Sequence, residues 1–236
     1  MHISIRRVLC GCVGAGLAAA AWAQIANPTV RRDRDNFKLT ALEALAQKSS
    51  RAAASTHSAS AFIEAAQLYD YATEAAEGRQ DKTAIARDAQ AGAKAAEAAI
   101  NLNPKSATAH ALAGYLMGQL IPYVPGGGMR YGERSASELA QALQLDPNNV
   151  EALTDQGISS LYTPAAFGGS TAAAIQDFQK AAKLKPNDDT AHLWLAQAYE
   201  KSKAWAAAER EIKSALRLDP ERKFSQYVAQ RIAKKS

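Results

Sequence analysis

Four histidines, two cysteines and a triple glycine are the residues of this 236-residue chain whose chemistry is most readily named. His110 and His192 invite a metal reading. His110 has no second His, Asp or Glu one turn away on the same helical face, and Asp188 and Asp189, one turn before His192, belong to the polar residues that cap the helix, so packing is the better reading for both. Gly126-Gly127-Gly128 lacks the Gly-Lys-Ser/Thr ending that gives a phosphate loop its lysine and its metal-binding hydroxyl. No serine stands in a Gly-x-Ser-x-Gly elbow, and none is near a histidine in sequence with a reason to pair with it. The sequence nominates no catalytic residue, metal ligand or cofactor, and the chain is expected not to be an enzyme. Carboxylates distant in sequence could still converge in space.

Cys10 and Cys12 both lie in a segment with the layout of a secretory signal. Arg6 and Arg7 supply the positive start, residues 8–21 are apolar, and Ala21-Trp22-Ala23 puts small residues at a cleavage site. That apolar run is shorter than the ~20 residues a bilayer span needs. Cleavage after Ala23 leaves a mature chain that starts at Gln24, has no cysteine and is expected in the periplasm or outside the cell. Leu9-Cys10-Gly11-Cys12 also resembles a lipobox with Cys12 as the acylated residue, but only four residues separate it from Arg7. A net charge of +5, or +3 without the first 23 residues, is too mild and too interspersed to imply nucleic acid.

The elements that would carry any site are helices. Apolar residues reach 47% with aromatics only 7%, and alanine makes up much of the difference. Alanine favours helices and lets their axes approach closely, whereas strands want the β-branched and aromatic residues that are scarce here. One pattern recurs four times: Leu102-Asn103-Pro104, Leu145-Asp146-Pro147, Leu184-Lys185-Pro186 and Leu218-Asp219-Pro220. Five residues before each proline stands Ala99, Ala142, Ala181 or Ala215; eight before, Ala96, Leu139, Phe178 or Ile212; twelve before, Gly92, Ser135, Ala174 or Ala208. This spacing makes a small–large–small stripe on one helical face. Ten residues after the proline a small residue returns as Gly114, Gly157 or Ala196, on a second helix capped by the polar residues that follow the proline.

With this register the stretch from Asp189 to Pro220 resembles a tetratricopeptide repeat, carrying Leu195, Ala196, Tyr199, Ala208, Ile212, Ala215 and Pro220 at that family's consensus places and His192 where it has tryptophan. The last two prolines are 34 residues apart, the family's period, and the earlier spacings of 39 and 43 put extra residues into loops 163–170 and 122–132. The resemblance implies an all-α, right-handed superhelical solenoid of antiparallel helix pairs over residues 59–220. Before it come a signal peptide (1–23) and an N-terminal helix and linker (24–58), in which residues 49–60 read as helix or linker; after it comes a capping helix with a basic tail (221–236).

The resemblance also implies function: such solenoids hold a peptide or a partner helix on the concave face made by the first helix of each unit. Carried onto this sequence, that face includes Tyr115, Ile158, Tyr162, Leu193 and Gln197, a mainly neutral surface with apolar centres. Alternatively, the N-terminal helices or the expanded loops cover it. The loops add Tyr123, Met129, Tyr131 and Phe167 as candidate anchors. A binding or scaffold protein of the cell envelope with a protein or peptide partner is the expected function. The alternative is a small-molecule-binding accessory of a periplasmic transport system, which a closed, apolar cavity would favour over an open groove.

Overall fold

The computed structural model describes residues 28–235; the signal segment and its cysteines lie outside the described residues. The described part contains helices and no strand: α1 (Pro28–Asp35), α2 (Leu39–Thr56), α3 (Ala59–Gly78), α4 (Lys82–Leu102), α5 (Ala107–Leu120), α6 (Gly127–Leu145), α7 (Val150–Tyr162), α8 (Thr171–Leu184), α9 (Asp189–Lys201), α10 (Trp205–Leu218) and α11 (Lys223–Ala233). Residues 49–56, open between helix and linker from sequence, belong to α2. No described helix is long and apolar enough to cross a membrane.

Each boundary has a local cause. Side chains of Ser58, Asp81, Ser106, Asn149, Ser170 and Asp188 accept hydrogen bonds from backbone N–H groups in the first turns of α3, α4, α5, α7, α8 and α9, which would otherwise lack partners. At the other end, the alanine five residues before each repeat proline accepts the N–H of Asn103, Asp146, Lys185 or Asp219 at 2.8–2.9 Å. The proline that follows has no N–H with which to continue the helix.

Four antiparallel pairs follow, α3/α4, α5/α6, α7/α8 and α9/α10, with α2 packed against α3 at one end and α11 against α9 and α10 at the other. The small–large–small stripe is the packing face: Leu139, Ala142, Ala174, Phe178, Ala181, Ala208, Ile212 and Ala215 are all buried. A Cβ on Gly114 would stand 2.8 Å from Leu139 Cγ, and one on Gly157 would stand 2.5 Å from the Phe178 ring. In the first of these pairs Ser135 donates a hydrogen bond of 2.6 Å to the Gly114 carbonyl, which satisfies a buried hydroxyl.

His110 and His192 tie the two helices of their units together. His110 Nδ1 lies 2.5 Å from Glu138 and its Nε2 lies 3.0 Å from the Pro104 carbonyl; His192 Nδ1 lies 2.8 Å from Glu211. The hydrogen bond to Glu211 raises the His192 pKa against the effect of burial. Among the described residues no cluster of three or more His, Cys, Asp or Glu side chains is arranged to hold a metal ion.

Candidate functional site

The first helices of the pairs face inward, and the two ends of the described part meet across them through side chains. Arg34 on α1 donates to Asp35 at 2.5 and 2.8 Å and to Asp219, 185 residues away, at 3.2 Å. Its guanidinium also lies over the Tyr71 ring at 5.4 Å. Arg222, just before α11, makes a two-point contact with Glu74 of α3 at 2.8 and 3.1 Å, and donates to Asp189 at 2.7 Å and Thr190 at 3.0 Å. Arg31 reaches Asp219 at 3.3 Å. Arg34, Asp35, Asp189, Asp219 and Arg222 are all buried. Burial works against the charge on Arg222, but Glu74 and Asp189 outweigh it and hold the guanidinium above its ordinary range.

Behind this junction lies a cavity of about 630 Å³. Helix α3 contributes Asp70, Tyr71, Glu74 and Glu77; α5 contributes Leu112 and Tyr115. From α7 come Thr154, Asp155 and Ile158, and from α9 and α11 come Trp194 and Phe224. The aromatic side of the wall is braced by edge-to-face contacts of Trp194 with Tyr162 and with Phe224, at ring-centre distances of 6.2 and 5.9 Å. Burial first, then the charge of Glu74, pushes the Asp70 carboxyl up to about 7; burial followed by Glu74 and Asp70 takes Glu77 to about 8. Asp155 is raised well above its usual value by burial, then by Asp70 and Glu151.

Of the residues nominated from sequence, Tyr115 and Ile158 line this cavity. Leu193 is fully buried among Ala196, Ile212 and Val228, so it serves the core and not a partner. Gln197 is buried too: its carbonyl oxygen accepts from Arg231 at 3.3 Å and from Tyr162 at 3.5 Å, while its amide nitrogen has no partner among the described residues. Tyr162 is exposed and carries the Lys201 ammonium 5.8 Å from its ring centre. In the expanded loops, Tyr131 folds back into the core beside Met117 and Leu120, and Tyr123 packs against the N-terminal core. The reason is that α6 begins at Gly127, so 127–132 is a helical turn with an inward face and not a free loop. Met129 at 93% and Phe167 at 81% exposure stand in solvent.

The concave wall is therefore charged, in contrast to the neutral surface expected. Sequence reasoning passed over Asp70, Glu74, Glu77, Asp155 and Arg222. One signal was available: Asp70, Glu74 and Glu77 fall at i, i+4 and i+7 on α3, an acidic stripe on one face of a helix otherwise rich in buried alanine.

Residues 168–230 match the sequence model of a tetratricopeptide repeat family. Among solved structures, the chain is similar to TTC0263, a thermophilic TPR protein of Thermus thermophilus, with a TM-score of 0.51 at 17% identity over 80% of this chain and 98% of that one. It is also similar to YrrB, described as a TPR protein with an unusual peptide-binding site, with a TM-score of 0.45 at 15% identity, covering 79% and 89% of the two chains. A third is the MamA protein, with a TM-score of 0.41 at 15% identity and coverage of 76% and 93%. No curated protein matches the chain. The fold is thus a solenoid of tetratricopeptide type.

Proposed function

We propose that this chain is an exported binding protein that holds a compact ligand of small-molecule size in the cavity between its inner helices. One observation carries the reading: the inner helices and the Arg34–Asp219 and Arg222–Glu74 junction line a cavity of about 630 Å³ that is partly open to solvent. That volume sits within the ~300–1,000 Å³ typical of small-ligand sites, and it mixes aromatic surface with a few convergent polar groups. An extended peptide needs a groove open at both ends, and here α1 and α11 stand across one. The tetratricopeptide fold supports a binding role, and the signal-like segment at residues 1–23 supports export to the periplasm or beyond.

Met129 and Phe167 favour a second, compatible role. Large apolar side chains with 93% and 81% exposure suit docking to a protein partner, as an accessory component of a transport system would require.

Native mass spectrometry of the protein purified from the periplasm of its own host tests the reading. A small molecule should co-purify, and Ile158→Trp, which fills the cavity from its wall, should abolish that mass difference while circular dichroism stays unchanged. Wild-type protein that carries nothing and is stabilised by no member of a broad metabolite panel would overturn it.

A further inference from the structure

The pairing of charges around the cavity is lopsided. Every cation on its wall is already matched: Arg34 with Asp35 and Asp219, Arg222 with Glu74 and Asp189, Arg31 with Asp219, and Lys185 with Glu151 at 2.7 Å. Apart from Asp188, which accepts the Thr190 N–H as the cap of α9, three carboxylates are left over. Asp70 accepts one hydrogen bond, from the neutral amide of Gln67 at 2.7 Å. Glu77 and Asp155 line the same space with no hydrogen bond or ion pair among the described residues. All three are half-buried on the cavity wall. Half-buried carboxylates on one wall lose hydration and repel one another, and a counter-charge that reaches them relieves both costs.

Tyr115 stands among all three. Its phenol is pushed well above its usual value by burial and then by the charges of Asp70, Glu77 and Asp155, while its hydroxyl accepts from Gln119 at 2.6 Å. An aromatic ring with three unpaired carboxylates around it attracts ammonium groups, since the ring face and the carboxylates both draw positive charge and the enclosure strengthens both. An anionic ligand would have to pull an arginine from its partners and would face these carboxylates unscreened.

We infer that Asp70, Glu77, Asp155 and Tyr115 form the recognition wall for a small organic cation, a primary or quaternary amine bound within the cavity. The inference rests on the binding function proposed above and names its ligand class. The groups facing Asp70 are Glu74 on its own helix, Arg34 from α1, Tyr115 from α5, Asp155 from α7 and Arg222 near α11. Both arginines are committed elsewhere, so the incoming cation supplies the missing positive charge. Raised carboxyls ionise on binding, and protons are released to solvent.

Calorimetry of the full chain purified after export tests this with three probes of one length: 1,4-diaminobutane, 1,4-butanediol and succinate, supplemented by choline as the quaternary case. An amine should bind with Kd below about 1 mM, release protons (read from the dependence of heat on buffer ionisation), and leave the diol and succinate inert. Asp155→Asn and Tyr115→Leu should each weaken it by about tenfold or more. Asp155→Asn keeps shape and removes a half-buried, unpaired charge, so its melting temperature should equal or exceed wild type and loss of binding cannot be put down to unfolding. Succinate binding without amine binding would overturn the inference and leave the cavity's binding role intact. Amine binding indifferent to Asp155→Asn, or no amine binding while another compound co-purifies, would overturn it equally. So would a lysine-containing peptide that binds more tightly than any free amine.

Discussion

Asp70 and Glu77 are the residues at which the charge imbalance can be measured directly. Their folded pKa values, about 7 and about 8, lie above the ordinary carboxylate value near 4. The folded state therefore holds protons that the unfolded chain has released. Stability from these groups is complete below pH ~4 and is lost as pH rises through the folded values. The Asp70→Asn, Glu77→Gln double variant should match wild type near pH 5 and melt a few degrees higher near pH 9, since ~1 kcal/mol moves Tm by roughly 2–4 °C for a domain of this size. Parallel melting curves at both pH values would show that solvent in the cavity already screens these charges. The same residues mark where sequence reading stopped. Tyr115 and Ile158 were legible because the repeat register points them inward. Asp155, one position past Thr154 on the same wall, was not, because a carboxylate at that register position reads equally well as solvated helix surface. What makes it a site residue is Asp70, which lies 85 positions earlier in the chain and whose charge it feels.

At the scale of helices the sequence was far more explicit, because each packing face is local and recurs. The glycine or alanine of each first helix meets the large residue of the following second helix, and their sizes compensate. Gly114 faces Leu139 and Gly157 faces Phe178, and Ala196 packs in the same cluster as Ile212. An added Cβ at 157 would lie 2.5 Å from a fully buried ring that has nowhere to turn. Gly157→Ala should therefore lower stability by up to about 2 kcal/mol, the ~1–3 kcal/mol cost of overpacking set against the ~1 kcal/mol that alanine gains over glycine in a helix. Ala181→Leu and Ala215→Leu, both at positions with no exposed surface, should cost more, because neither has a cavity to fill. Denaturant titration measures all three, and wild-type midpoints would mean that the stripe does not seat as described. The start of α6 was misread at this scale: proline and a run of glycines suggested an open loop, yet a Cβ at 127 would stand 2.4 Å from the Ile121 carbonyl oxygen, so Gly127 permits a tight reversal straight into the helix.

For the whole molecule, the decisive contacts join residues up to 188 positions apart, and no periodic pattern announces them. A solenoid is held by neighbours alone, so closing it requires something extra. Here that is a buried ion network, which contributes little net stability but is strict about geometry, because its charges are satisfied in one arrangement only. Arg222 is the hub: Arg222→Ala would leave Glu74 without its ion pair and Asp189 with Arg31 alone at 3.7 Å, and leaving a buried charge unpaired costs ~3–5 kcal/mol. The chain has an escape that a globular core lacks, since parting α3 from Arg222 hydrates all of these groups without unpacking any helix pair. Arg222→Ala is therefore expected to open the ring and keep the helices. Small-angle scattering should give a radius of gyration near the ~17 Å of a compact domain of this length for wild type and a clearly larger one for the variant, with unchanged helical circular dichroism. Restoring compactness with Glu74→Gln, Asp189→Asn and Arg222→Met together would separate stranded charge from lost contact. If Arg222→Ala instead unfolds in one cooperative step with no expanded helical state, the junction is part of the core and not a closure between two ends.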